Sequence, residues 1–143
     1  KNEKGVLKDI VSIAAGSYHS LALTSAGVVW SWGWNGAGQL GNYSSVDSNL
    51  AVQVRNLKAV KAIAAGWYHS VALASDGSVW AWGDNLFGKL GDGSYKQSIV
   101  PKKVAGISAV TGISLGSDHS LAIKVPPTPT PTPRPTRSTA KRT

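Results

Sequence analysis

Apolar and polar residues alternate along His19–Thr24, with Leu21 and Leu23 on one side and Ser20, Ala22 and Thr24 on the other. A period of two sends successive side chains to opposite faces, so this run predicts a β-strand. A second run, Val28–Gly33, sets Trp30 and Trp32 on one face and Val29 and Ser31 on the other. Between the two, Ser25-Ala26-Gly27 reads as a tight hairpin whose glycine accepts the left-handed conformation. Upstream, Ile10–Ala15 predicts a strand that turns small at its far end and stops at Gly16. A weaker apolar run near Ala51–Val54 predicts a fourth strand, on the outside. The fold class is all-β, in short strands with one bulky and one small face.

The same order returns down the chain. Residues 13–23 recur as 63–73 and again as 113–123, so that Gly16, Gly66 and Gly116 stand 50 residues apart without insertion or deletion. Ser75-Asp76-Gly77 repeats the hairpin, Trp80 and Trp82 repeat the paired indoles, and Gly88-Lys89-Leu90-Gly91 repeats Gly38-Gln39-Leu40-Gly41. First strands are therefore expected again at Val60–Ala65 and Val110–Leu115, and a fourth at Val100–Val104. The third copy stops after its second strand, because Val125-Pro126-Pro127 falls where the second copy has its hairpin. Prolines do not continue a ladder. Self-similarity at this period marks a stacked or radial array, and a bulky face that presses on a neighbour's alanines and serines suits radial stacking.

Read as spaced motifs, G-x-x-H-S-x-A-L, S-x-G-x-V-W-x-W-G-x-N and G-x-L-G resemble the regulator of chromosome condensation repeat over about residues 10–123. The resemblance implies a seven-bladed β-propeller, closed by strands from both chain ends. On that basis the chain is expected to be a partial β-propeller with blades of four antiparallel strands. Residues 1–9 would be a remnant of a preceding blade, 10–59 the first repeat, 60–109 the second, 110–125 a half blade ending the array, and 126–143 a Pro/Thr-rich tail. The whole reads as the C-terminal portion of a longer propeller. Members of the family include guanine-nucleotide exchange factors, a secreted bacterial inhibitor of β-lactamases and a plant ultraviolet photoreceptor. No insertion interrupts either 50-residue repeat to supply the protruding hairpin that exchange relies on, and Tyr68 follows Trp67 where the photoreceptor pairs tryptophan with arginine.

The tail, with prolines at 126, 127, 129, 131, 133 and 135, is expected to be disordered and extended in the polyproline-II manner. Such Pro-Thr runs resemble linkers of secreted or surface-attached bacterial proteins, which suggests an extracellular or cell-surface location. The rival reading is a ligand for a polyproline-binding surface. The tail also changes the meaning of the charge. Of the net +8, Arg134, Arg137, Lys141 and Arg142 supply half, and the remainder forms no basic stripe interleaved with aromatics. A solvated, mildly basic surface follows, with no specific nucleic-acid partner expected. There is no cysteine and no apolar run long enough to span a bilayer.

Candidate chemistry is thin. His19, His69 and His119 recur once per repeat, each beside a serine. Equivalent positions on neighbouring blades do not converge on one metal ion, and adjacent residues of a strand face opposite ways, so neither a metal site nor a Ser-His pair is expected. Imidazoles hydrogen-bonded to backbone at blade interfaces are expected instead. Gly36-Ala37-Gly38-Gln39-Leu40-Gly41 matches G-x-G-x-x-G but opens no helix, and Leu86 stands at the first glycine's place in the second copy. The seven carboxylates form no recurring pair. No catalytic, cofactor or metal residue is assigned. Gly16, His19, Trp30, Trp32, Gly66, His69, Trp80, Trp82, Gly116 and His119 are read as structural. Candidate partner-binding residues are Trp67, Tyr68, Tyr18, Trp34, Phe87 and Tyr95, loop aromatics outside the repeated core motif. The expected function is a non-enzymatic protein-interaction scaffold with a protein partner, completed by further blades in the same protein or by self-association through open blade edges. An exchange factor or chromatin-associated propeller and an enzyme-inhibitor propeller are the alternatives.

Overall fold

From Ile10 on, every strand expected from the repeat forms, and the repeat register sets its place; residues 6–9, the described part of the expected remnant of a preceding blade, carry no strand. The computed structural model describes residues 6–126, 128 and 129. The expected disordered tail thus lies almost wholly outside the described residues. Strands β1 (Ile10–Ala15), β2 (His19–Thr24), β3 (Val29–Gly33) and β4 (Ser48–Gln53) make one antiparallel sheet in chain order. Strands β5 (Val60–Ala65), β6 (His69–Ala74), β7 (Val79–Gly83) and β8 (Ser98–Lys103) make a second. Strands β9 (Gly112–Leu115) and β10 (Ser120–Ile123) pair as half of a third. No helix occurs among the described residues. The architecture is two whole propeller blades and a two-stranded part of another.

The fourth strands begin at Ser48 and Ser98, earlier than the apolar runs at Ala51 and Val100 suggest. Past an irregularity in the ladder, backbone pairing resumes with Ser48 opposite Gly33 and Ser98 opposite Gly83. An outer edge strand needs no apolar side chain to hold such a bond, so hydropathy misses its start. Conversely β9 begins at Gly112, after Val110, because its ladder with β10 ends at the pair Gly112–Ile123, whereas Val60 still has Ala74 opposite it; the Val110 amide donates to the carbonyl of Gly77 in the preceding hairpin. The matching bond runs from Val60 to Gly27, and both hairpin glycines are left-handed, with φ 76° and 80°. Blades are thus stitched from the hairpin of one to the first strand of the next.

The core lies between blades. Register places Ser20, Ala22, Trp30 and Trp32 on one face of the first sheet and Leu21, Leu23, Val29 and Ser31 on the other. Trp82, 0 % exposed, packs with Leu21, Leu23, Val29 and Val54. The indole of one blade therefore presses on its neighbour's leucines and valines; most of the alanines and serines flank it on its own face. This corrects the expected packing partner and keeps the large-face-to-neighbour logic. The second blade repeats the arrangement against Val110, Ile113 and Leu115 of the half blade. There the indole's place is open: a cavity of about 270 Å³ lined by Val71, Val79, Leu90, Val104 and Ala122. These are the positions 50 residues beyond the Trp82 pocket, apart from a tryptophan to fill it.

Candidate interaction rim

Each joint between blades is locked by a histidine. His19 Nε2 lies 2.8 Å from Ser70 Oγ, and Ser70 Oγ donates to the carbonyl of Gln39 at 3.0 Å. Since a hydroxyl has one proton to give, Nε2–H must be the donor in the first bond. His69 Nε2 and Ser120 Oγ repeat this at 3.1 Å, with Ser120 donating to Lys89 O at 2.8 Å. The imidazole partner is thus a serine of the next repeat and not backbone, as the sequence suggested; the backbone contact comes one step later. Burial lowers both imidazoles to about 4, with the nearby Lys89 cation adding to the effect at His69. They are neutral at physiological pH and committed to the joint. Gly16 and Gly66 are required by this lock. A Cβ at either position would run into its own histidine ring and the carbonyl of the next repeat's glycine. Crowding, and not a left-handed turn, explains these two glycines.

Above the first lock, the turn between first and second strands meets the glycine-bearing loop after β3. Tyr18 and Tyr68 stack with centroids 5.9 Å apart and planes 11° from parallel. Trp34 stands edge-on to Tyr68 at 5.4 Å and 65°, and Trp67 stands edge-on at 6.4 Å and 72°. Trp34 is held by the hydrogen bond that its backbone N–H donates to the Tyr18 carbonyl and by Gly36, over which its indole folds so closely that no Cβ fits. Three of the four rings stay open to solvent: Tyr18 at 62 %, Trp67 at 50 % and Trp34 at 39 %. Gln39 is fully buried; its Oε1 accepts from the Ala37 amide, while Nε2 has no partner.

Above the second lock the same three positions carry charge. Lys89 replaces Gln39, Asp84 replaces Trp34 and Asp118 replaces Tyr68. Lys89 Nζ, 4 % exposed as a residue, lies 2.6 Å from Asp84 and 2.7 Å from Asp118. Burial alone would lower its pKa, but the hydrogen bonds to Asp118 and Asp84 outweigh that and raise it. Sequence reasoning missed this cluster because its members recur only as replacements. The signal was there in the aligned repeats: three positions change together.

Of the candidate partner-binding residues, Tyr18, Trp34, Trp67 and Tyr68 are gathered into this one cluster. Phe87 lies beside the Lys89 ammonium, 5.8 Å from ring centroid to Nζ, and Tyr95 packs over Gly88 in the second glycine loop. No ring contact joins these two to the cluster among the described residues. Nor do three potential metal-ligating side chains come together there. His119, whose own next repeat would have to supply a serine, is exposed. Trp30 and Trp80 are half-buried, and the Trp80 indole donates to Ser78 Oγ at 3.1 Å.

Radial blades, interblade histidine–serine locks and a rim of loops define a β-propeller repeat protein. Residues 26–73 and 76–123, and in a second description 10–39 and 60–89, match the Regulator of chromosome condensation (RCC1) repeat. The chain belongs to this family. It is similar to the mitochondrial RCC1 domain-containing protein RUG3 of Arabidopsis thaliana, 48 % identical over 48 residues. That match takes in 34 % of this chain and 11 % of the relative. The fold matches yeast RCC1 (Prp20) in its crystal structure with bound Kap60, with TM-score 0.75 and 26 % identity over 85 % of this chain. It also matches Saccharomyces cerevisiae Prp20p, a structure reported with that protein's binding to Gsp1p and histones, with TM-score 0.70 and 26 % identity over 89 % of this chain. The chain spans 32 % and 33 % of those two proteins.

Proposed function

We propose that the chain is a non-enzymatic protein-interaction module of a larger propeller, reading its partner through the aromatic rim above the first joint. The observation that carries this is the meeting of four rings from three separate turns, mostly open to water, where the equivalent place one blade on is closed by ions. Exposed aromatic clusters of this kind provide contact area at low entropic cost. At both joints the repeated polar groups are already spent inside the fold: His19 and His69 on serines, Ser70 and Ser120 on carbonyls. The similar Prp20 structures concern a protein that binds other proteins, which supports the same class of role.

Further repeats belong on the two end faces. Ile13 is 77 % exposed while its counterpart Ile63 packs into the core, and the cavity beside β10 has the lining of an indole pocket. The Pro-Thr run favours an extracellular or surface-attached setting. The test of the rim is a partner captured by the full-length protein, followed by Trp34→Ala, Trp67→Ala and Phe87→Ala. Loss of about 30-fold or more in affinity at Trp34 or Trp67, with folding intact, is expected for true anchors. Wild-type binding by the first two would overturn the reading.

A further inference from the structure

The ring cluster has a shape that selects its ligand. Tyr18 and Tyr68 each give one face to the other, so the stacked pair leaves less open face for a flat ring than two separate tyrosines would. What the cluster offers is corners, where Trp34 and Trp67 rise steeply from Tyr68. A pyrrolidine ring fits such an apolar corner, and a polyproline-II backbone brings it there already extended, with its carbonyls free to accept hydrogen bonds. Donors are at hand. Among the described residues, the indoles that donate within the protein are those of Trp80 and Trp82, which leaves Trp34 and Trp67 with theirs to give.

The chain carries such a segment itself. Six prolines stand between positions 126 and 135, directly after the end of β10 at Ile123. β10 follows the Ser117-Asp118 turn and so runs away from the rim that holds the rings. Returning along a strand of six residues takes about 20 Å, and the sideways step across packed sheets adds about 10–15 Å. At about 3.1 Å per residue, roughly eight residues of polyproline II cover the diagonal. Counted from Lys124, that reaches Pro131 and brings the run Pro131-Thr132-Pro133 to the cluster, with the basic end of the chain still beyond it.

We propose that the proline-rich segment after β10 docks on Tyr18, Trp34, Trp67 and Tyr68 of its own chain, occupying the rim until a partner displaces it. The proposal rests on the reading of this rim as the interaction surface, and adds its regulation.

The experiment is carried out on the full chain, with the six indole N–H signals assigned by single Trp→Phe variants. Replacing Pro131, Pro133 and Pro135 together by alanine should shift the Trp34 and Trp67 signals and leave Trp82 in place. A synthetic peptide of residues 126–137, added to that variant, should restore them. Unchanged Trp34 and Trp67 signals would overturn the proposal. So would a difference that appears only at high protein concentration, since the tail would then come from a second copy. The two readings separate cleanly. If the signals do not move while Trp67→Ala still weakens partner capture, docking fails and the interaction surface stands. If the signals move while partner capture is indifferent to Trp34 and Trp67, the rim is the tail's seat alone and the proposed function fails.

Discussion

At the joint between the first two blades, neutral Gln39 is fully buried at the position that Lys89 holds one repeat on, and Trp82 fills the space between sheets. At the next joint Lys89 lies between Asp84 and Asp118, and the indole's space is a cavity. Both joints keep the same histidine–serine–carbonyl lock. The comparison separates what the fold requires from what each rim is free to choose. The lock and its crowded glycine are common to both because the blades cannot meet without them. The three rim positions change as a set because a buried ammonium without acids is costly, and acids without the ammonium would face each other. Neutral Gln39 frees its joint to carry rings, at the expense of an amide nitrogen with no acceptor.

The filled joint should be the more fragile to truncation. Trp82→Ala removes an indole packed on all sides and should cost about 3–5 kcal/mol, read as a shift in the urea midpoint. Trp32→Ala removes a half-buried ring on the outer face of the first blade and should cost distinctly less. Equal losses would mean that the outer face of the first blade is covered as fully as the joint.

Exchanging the rim chemistry tests whether the three positions act together. Gln39→Lys alone buries an ammonium with Trp34 and Tyr68 in the acids' places and should destabilise by about 3–5 kcal/mol. Adding Trp34→Asp and Tyr68→Asp should return most of that loss by rebuilding the cluster seen at Lys89. Should the single variant be too unstable to purify, recovery of a folded triple variant is itself the readout. A triple variant no better than Gln39→Lys would sink the idea of a coupled set.

Acid should loosen both joints alike. His19 and His69 sit at about 4 in the folded chain against 6.5 when free. Between those values the unfolded chain takes up protons that the folded one refuses, so stability is full above about pH 6.5 and falls as the pH drops towards 4. The loss is on the order of 3 kcal/mol per histidine. Unfolding midpoints collected from pH 7 to pH 4 give the slope, and a profile as steep in His19→Gln as in the wild type would remove His19 from the account.

These contrasts show how far the sequence could be read. Repeat register located the inner strands, because residues 50 apart share one backbone role. It misjudged the outer strands, where Ser48 and Ser98 are held by backbone bonds that hydropathy does not see. It named the rim aromatics as loop residues outside the repeated core but could not say that four of the six would meet. That depended on Tyr18 and Tyr68 lying one blade apart at stacking distance. The histidine's partner escaped because it sits 51 residues on, in the next copy of the same His-Ser pair. Had the serine been asked which face it shared with the neighbouring blade, the lock was there to find.

The smallest expected effect probes the pairing of Trp34 with Gly36. Gly36 has a role no motif revealed: the Trp34 indole folds over it too closely for a Cβ. In the second repeat Asp84 replaces the tryptophan, and Leu86, exposed to solvent, replaces the glycine. Gly36→Ala should therefore push the indole away from Tyr68 and forfeit an edge-to-face contact worth about 0.5–1.5 kcal/mol. Part of that is offset by the lower entropy of alanine in the unfolded chain, so the net change in midpoint should be slight. The ring itself should respond far more than the stability does. Its indole N–H signal should move and the Tyr68 ring signals with it, while Leu86→Ala in the other joint leaves both unchanged. A Gly36→Ala variant whose Trp34 and Tyr68 signals match the wild type would show that the glycine is not what seats the indole. The difference between the aromatic and the ionic rim would then rest on Gln39 and Lys89 alone.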